Sequence, residues 1–264
     1  MHGGPTAPTD TAICPRPALP IWVVLVNFQS HDDYDLGVNA ISPGYAGALR
    51  DQLESLSGCH VAYFNGASGN LSSTSKLESR NHGLEDSRSY GQKLGSLAWE
   101  AMQSMEPVGG SGIASTAAMT IVEVDHDWDE LLPEAEQAVH MGTTLGGQAG
   151  DAFAMSYGFH STHHAGTVVT RAGMDDIALL YQGAFRIHDL GFLAASYEMF
   201  SENGQSVKDR SPYKHTFIFS GNHEHVPSIN AFGYASYEGD STYYVTDTAE
   251  QLQEEFLVLL KKIQ

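Results

Sequence analysis

Residues 21–28 read IWVVLVNF and run directly into the polar stretch QSHDDYD at 29–35. The first run is apolar and rich in β-branched residues, which is typical of a strand covered on both faces. YAGALRDQLESL at 45–56 then has helical periodicity, and HVAYF at 60–64 indicates a second strand. Strand, helix and strand in this order predict a βαβ unit with parallel strands, so the loops that follow the two strands meet at one edge of the sheet.

The rest of the chain predicts further helices and strands around this unit. We predict an α/β fold in which a mixed, mainly parallel sheet is flanked by helices, with a single domain at 21–264 after an irregular N-terminal arm at 1–20. Residues 141–175 give no clear pattern. The remaining predicted elements are helices at 86–105 and 127–139, strands at 117–124, 177–182, 184–189, 190–196 and 213–220, a short helical piece at 200–210 and a final helix from Thr246.

Charge and hydropathy exclude several classes of function. The 264 residues carry 32 acidic and 13 basic side chains, for a net charge of −19, which disfavours binding to nucleic acids and to anionic membranes. No apolar run approaches the roughly 18 residues that span a bilayer, and residues 1–20 do not resemble a secretory signal. Two cysteines, Cys14 and Cys59, are too few for a cysteine-based zinc site, although one bridge between them remains open.

Two candidate metal ligands follow predicted strands. His31 comes after the strand at 21–28, where it is either a metal ligand or a loop histidine bonded to Asp32 or Asp33. Glu198 follows the apolar run at 190–196, and a carboxylate there is costly unless it is paired or binds a cation. The alternative for Glu198 is an exposed position in the following helical turn.

Histidines are also concentrated in two short segments. NHEHVPS places His223 and His225 two residues apart, so both imidazoles lie on one face of an extended chain and form a plausible chelate. The alternative is a polar loop before Pro227. HSTHH at 160–164 is a further candidate metal tract, for which solvent exposure is the stronger expectation.

Other polar groups fit a hydrolytic reaction. In NGASGN, after the second strand, Ser68 is a candidate nucleophile, and Asn65 or Asn70 a candidate polarising amide; the alternative is an ordinary strand-end turn. Tyr237 in SYEGDST is a candidate hydrogen-bond donor to an oxyanion, or else an aromatic residue that packs in the core.

The order and spacing of these segments resemble the neutral/alkaline (non-lysosomal) ceramidase family, over about residues 21 to 250. The resemblance implies a zinc-dependent amidase that cleaves the N-acyl bond of ceramide-like lipids. In chain order, the similar segments are NFQSHDDYDLGVNAISPGYAGAL at 27–49, FNGASGNLSS at 64–73, SYEMFSENG at 196–204 before SPYKHTF, and GNHEHVPSINAFGYASYEGDST at 221–242.

The resemblance also implies roles for particular residues. His31 and Glu198 match zinc ligands, and Tyr237 matches the tyrosine that contacts the amide oxygen. His225 stands where the family has a zinc-binding tyrosine. Ser68 matches the active-site serine after a one-residue shift, with Asn65, Gly66 and Ala67 as the other residues at that point.

One feature of the family has no counterpart in this sequence. The family has another zinc-binding histidine in an HxH-type motif further upstream, and no such motif precedes His31. His223 is the nearest substitute. The sequence therefore leaves three hypotheses open: a ceramidase-like zinc amidase, a shortened non-catalytic relative, and a zinc hydrolase acting on a smaller amide or ester.

Overall fold

A computed structural model describes residues 10–13, 23–32, 39, 41–73, 83–221, 225–226 and 237–264. Within these ranges the chain forms helices around two mixed sheets, and the predicted α/β class and single domain are confirmed. No helix among the described residues is long and apolar enough to cross a membrane. The predicted histidine ligand His223 and the cysteine Cys14 lie outside the described residues.

The first sheet contains the predicted βαβ unit. Strand β2 (Val23–Phe28) leads through helix α1 (Gly44–Ser57) to strand β3 (His60–Asn65). β2 and β3 are parallel, and their last residues, Phe28 and Asn65, lie opposite each other. The loops that carry His31 and Ser68 therefore leave the sheet at the same edge, as predicted from the sequence.

The third strand of this sheet comes from the segment predicted as an irregular arm. Strand β1 (Asp10–Ile13) pairs antiparallel with β2, on the side of β2 opposite β3. Pairing with the edge of β2 satisfies the backbone groups of this short polar segment, and its own side-chain pattern gives no sign of it.

The second sheet has the strand order β4-β5-β6-β7. β4 pairs antiparallel with β5 and β5 with β6, whereas β6 and β7 are parallel. The two strands predicted at 177–182 and 184–189 are one continuous strand, because the pairing with β4 continues through Gly183 without interruption. The bounds are β4 (Ile113–Glu123), β5 (Ile177–Ile187), β6 (Leu190–Ala195) and β7 (His215–Ser220).

Asn27 joins the two sheets. Its side chain is 1% exposed, and its amide nitrogen donates to the carbonyl of Ile218 on β7 at 2.9 Å. The Ile218 N–H donates back to the Asn27 oxygen at 3.1 Å. This exchange sets the end of β2 beside β7, so the loops after β2, β3, β6 and β7 come together.

Helices surround the sheets. Two of them, α4 and α5, lie in the region 141–175 that gave no clear pattern, whereas most of α3 coincides with the helix predicted at 127–139. Residues 132–172 form successive helices α3, α4 and α5, and the 160–164 histidine tract lies at the start of α5. The helices not yet named are α2 (Leu84–Met102), α3 (Leu132–Leu145), α4 (Gly147–Met155), α5 (Thr162–Ala172), α6 (Ser201–Arg210), α7 (Tyr237–Asp240) and α8 (Thr248–Lys262).

Candidate metal centre

Three side chains with metal-binding atoms converge where the strand-end loops meet. One ligand atom each from His31, Glu198 and His225 lies within 4.8 Å of the other two. Glu198 Oε2 is 3.0 Å from His225 Nε2 and 3.5 Å from His31 Nε2. Three of the four metal ligands predicted from the sequence thus come together, although they are spread over nearly two hundred residues of the chain.

Backbone pairing holds the three residues beside one another. His31 forms a parallel β-bridge with Ser72, and its N–H donates to the carbonyl of Leu71 at 3.0 Å. Glu198 forms a second parallel bridge with His225. Each ligand therefore lies in a short extended segment just beyond a sheet strand, which restricts where its side chain can point.

Glu198 is the electrostatic centre of the cluster. Its side chain is 12% exposed, and Oε2 is buried without an aligned hydrogen bond from any described residue, although both imidazoles lie close enough to attract it. Burial by itself raises the pKa of Glu198, but the imidazoles of His225 and His31 outweigh it and lower the pKa to about 2. The group is therefore a carboxylate at neutral pH, and its Oε2 lies within ion-pair distance of two imidazoles although neither makes an aligned hydrogen bond to it.

This arrangement fits a divalent cation. A buried carboxylate oxygen without a hydrogen bond is costly unless a positive charge satisfies it. Two imidazole nitrogens and one carboxylate oxygen form a common ligand set of catalytic zinc sites. The measured Nε2–Oε2 separations of 3.0 and 3.5 Å bracket the roughly 3.4 Å between tetrahedral zinc ligands.

The glycine-rich loop after β3 contacts this cluster. Gly69 donates its N–H to the carbonyl of Met199 at 3.0 Å, and its own carbonyl lies 3.0 Å from His225 Nε2. A Cβ at position 69 would lie 3.0 Å from the ring of Phe200 and 3.4 Å from the Glu198 carbonyl. The close approach of the loop to the Glu198 segment therefore depends on glycine at this position.

Ser68 is buried next to that contact, with 3% of its surface exposed. The Asn65 amide nitrogen points to the carbonyls of Phe28 and Ser30 at 3.0 and 3.1 Å, and its oxygen accepts from the Ser68 hydroxyl at 2.9 Å. The structure thus places Ser68 and Asn65 together beside the cluster. Asn70, the other candidate amide, instead donates to Glu202 on α6 at 2.7 Å.

Tyr237 lies at the surface and not in the core, with 60% of its area exposed. Its ring is perpendicular to the imidazole of His225 at a centroid distance of 6.2 Å, and it stacks on His163 at 5.0 Å. Thr242, in the same segment, donates its hydroxyl to the His225 carbonyl at 2.9 Å. The structure therefore brings the predicted oxyanion donor to the edge of the cluster.

A second cluster lies on the far side of Tyr237. Ligand atoms of His160, His164 and Asp240 lie within 4.8 Å of one another. His164 is 5% exposed, so the expected solvent exposure of the histidine tract is wrong for this residue. Burial, partly offset by Asp240, lowers the pKa of His164 to about 4. The sequence alone did not show that Asp240 pairs with His160, because 80 residues separate the two in the chain.

Two solved structures have a similar fold. The neutral ceramidase from Pseudomonas aeruginosa aligns with 91% of this chain at a TM-score of 0.58 and 18% identity. A ceramidase complexed with C2 aligns with 91% at a TM-score of 0.59 and 16% identity. This chain spans 44% and 46% of those proteins. No family model and no curated protein sequence matches this chain. The similarity shows a ceramidase-like fold.

Proposed function

We propose that this chain is a zinc-dependent hydrolase that cleaves the N-acyl amide bond of a ceramide-like lipid. The observation that carries the proposal is the buried Glu198 Oε2, which has no aligned hydrogen bond and faces the imidazoles of His31 and His225. The ceramidase-like fold supports the amide substrate, since one solved neighbour is a neutral ceramidase and another is a ceramidase complexed with C2.

The proposed zinc ligands are His31, Glu198 and His225, and His223 is the proposed source of a fourth. When bound, zinc supplies Lewis acidity that polarises a carbonyl group and lowers the pKa of a nearby water or hydroxyl group. Zinc binding at Nε2 of His225 requires the proton of that ring to reside on Nδ1. The 3.0 Å contact from Nε2 to the Gly69 carbonyl is then lost as a hydrogen bond.

Ser68 and Asn65 form the proposed nucleophilic part of the site. Asn65 has no basic group, so its role is to orient the serine: its oxygen accepts a hydrogen bond from the Ser68 hydroxyl, with 2.9 Å between the two oxygens. This contact leaves the lone pairs of Ser68 Oγ free to face a substrate carbonyl. The tight turn at Gly69 holds Ser68 next to the proposed ligand His225.

Tyr237 is the proposed donor to the oxyanion. Its phenol can donate a hydrogen bond to the charge that develops on the carbonyl oxygen during attack. Tyr237 is 60% exposed. A bound acyl chain would cover it, and a hydrogen bond shielded from water stabilises the developing charge more strongly.

A smaller amide or ester, or loss of catalysis, are the alternatives to this proposal. The test of the proposal measures how fast the purified protein cleaves a fluorescent N-acyl sphingosine. The rate is measured before chelation, after chelation and after zinc is added back. We expect turnover that chelation abolishes and zinc restores, and that Glu198→Gln eliminates. Glu136→Gln, at an exposed site on α3, is the matched control. If the zinc-loaded protein cleaves only short amides or esters, the proposal that its substrate is a lipid is wrong. If it cleaves no acyl compound, the proposal that it is a hydrolase is wrong.

A further inference from the structure

Helix α7 carries Tyr237, and most of its described anchors come from the histidine tract of α5. Asp240 Oδ1 lies 2.6 Å from His160 Nδ1. Ser241 Oγ lies 2.8 Å from His163 Nε2, and its hydroxyl is also 2.6 Å from the Tyr237 carbonyl. The His163 ring stacks on the Tyr237 ring at an interplanar angle of 18°.

A helix of four residues does not hold its own conformation in water, because the cost of nucleation exceeds the gain from so few hydrogen bonds. The Tyr237 ring is also mostly exposed, so core packing does not fix its direction. Its perpendicular orientation towards His225 therefore depends on contacts made from outside the helix. His160 and His163 supply three such contacts, to Asp240, Ser241 and the Tyr237 ring.

In the second histidine cluster, Nδ1 of each imidazole has a hydrogen-bond partner. His160 Nδ1 is paired with Asp240, and His164 Nδ1 accepts the backbone N–H of His160 at 3.2 Å. That acceptor role gives neutral His164 its proton on Nε2, so this nitrogen is a donor and not a metal ligand. The hydrogen bonding fits a structural clamp better than a second zinc site.

We infer that His160 and His163 clamp α7 to α5, and that His163 is a positioning residue that holds the Tyr237 phenol over the metal centre. The inference rests on the proposed function, because the phenol matters only if an oxyanion forms there. His163 acts in two ways: its ring stacks on Tyr237, and its Nε2 fixes Ser241 in the next turn.

The test compares His163→Ala with His163→Phe, which keeps an aromatic ring for stacking. We expect His163→Ala to lower kcat about ten-fold, and His163→Phe about three-fold, with KM and zinc content unchanged. His215→Ala, at an exposed site on β7, is the matched control and should have full activity. Equal losses in the Ala and Phe variants, or a loss of zinc, would overturn the inference.

Combining substitutions tests whether His163 acts through Tyr237. In a Tyr237→Phe background, His163→Ala should cause no further fall in kcat, because the hydroxyl that it positions is already gone. A further ten-fold fall would show a general structural effect and overturn the inference. The inference would also be overturned if the wild type bound a second zinc ion per chain and His160→Ala lost it, because the histidine tract would then be a metal site.

Amide hydrogen exchange separates this inference from the proposed function. His163→Ala should speed exchange at residues 237–242 at least ten-fold and leave the rest of the chain unchanged, whether or not the protein is active. Unchanged exchange there would overturn the clamp. If the wild type shows no turnover but exchange at residues 237–242 is still faster in His163→Ala, the proposed reaction is refuted and the clamp is supported.

Discussion

His225 Nε2 lies 3.0 Å from Glu198 Oε2, and the same two residues form a parallel β-bridge through their backbones. The backbone contact places the ring and the carboxylate side by side before any ion binds. Pre-positioned ligands lose less conformational entropy on metal binding than ligands on free loops. The pairing therefore brings candidate metal ligands from segments that follow different strands into one cluster.

Replacing Gly69 with alanine should weaken this centre. The new Cβ would lie 3.0 Å from Phe200 Cδ1 and 3.3 Å from the Met199 carbonyl, so the Phe200 ring or the loop must shift by a few tenths of an ångström. We expect a loss of about 1–3 kcal/mol in stability and weaker zinc binding, measured by urea unfolding and zinc titration. Gly83→Ala is the control, because a Cβ there meets nothing within 4 Å; equal effects would refute the steric argument.

Asn27→Ala should destabilise the whole domain. The substitution removes the two hydrogen bonds that Asn27 exchanges with Ile218 and the one that it donates to the carbonyl of Phe64 at 3.1 Å, and it leaves buried backbone groups without these partners. We expect a loss of about 2–4 kcal/mol in the free energy of urea unfolding, from three lost hydrogen bonds at roughly 1 kcal/mol each. Val23→Ala, at a 41% exposed site on the same strand, should cost much less. Similar losses would show that Asn27 does not join the sheets.

The pH dependence of stability should reveal the buried His164. Burial lowers the pKa of His164 to about 4 in the folded protein, while an unfolded histidine titrates near 6.5. Between these values the unfolded chain binds more protons, so stability falls as pH drops from about 6.5 to 4. His164→Gln should flatten this part of the melting-temperature profile. An unchanged slope in the variant would show that His164 does not cause it.

Ser68→Ala separates the nucleophile from the metal site. If Ser68 attacks the carbonyl, the variant should lose at least a hundred-fold in kcat and keep its zinc, because the side chain is not among the ligands. Ser72→Ala, in the loop segment beside His31, serves as the control. If Ser68→Ala has full activity, Ser68 is not the nucleophile, and a water molecule takes that role.

The sequence was sufficient for the parts of the structure with strong local patterns. The βαβ unit follows from an apolar run, a helical period and a second apolar run, and its parallel pairing places His31 and Ser68 at one edge. Glu198 could be identified as a candidate because a carboxylate after an apolar strand needs a partner. These inferences depend on neighbours in the chain or on general rules of strand connection.

The remaining features depend on long-range contacts that no local pattern reveals. Asn27 lies within the apolar run at 21–28, yet it joins the sheets through Ile218, which is 191 residues away. The pairing of His160 with Asp240 spans 80 residues and gives the histidine tract a partner that its own segment does not suggest. The continuity of β5 through Gly183 likewise comes from its partner strand β4.

Metal content tests the central claim most directly. The protein and its Glu198→Gln variant would be purified, incubated with zinc, dialysed and analysed by mass spectrometry for metals. We expect about one zinc per chain in the wild type and almost none in the variant, because an amide oxygen lacks the charge that offsets the cation. A wild-type protein without zinc, or a variant that retains a full equivalent, would contradict the claim.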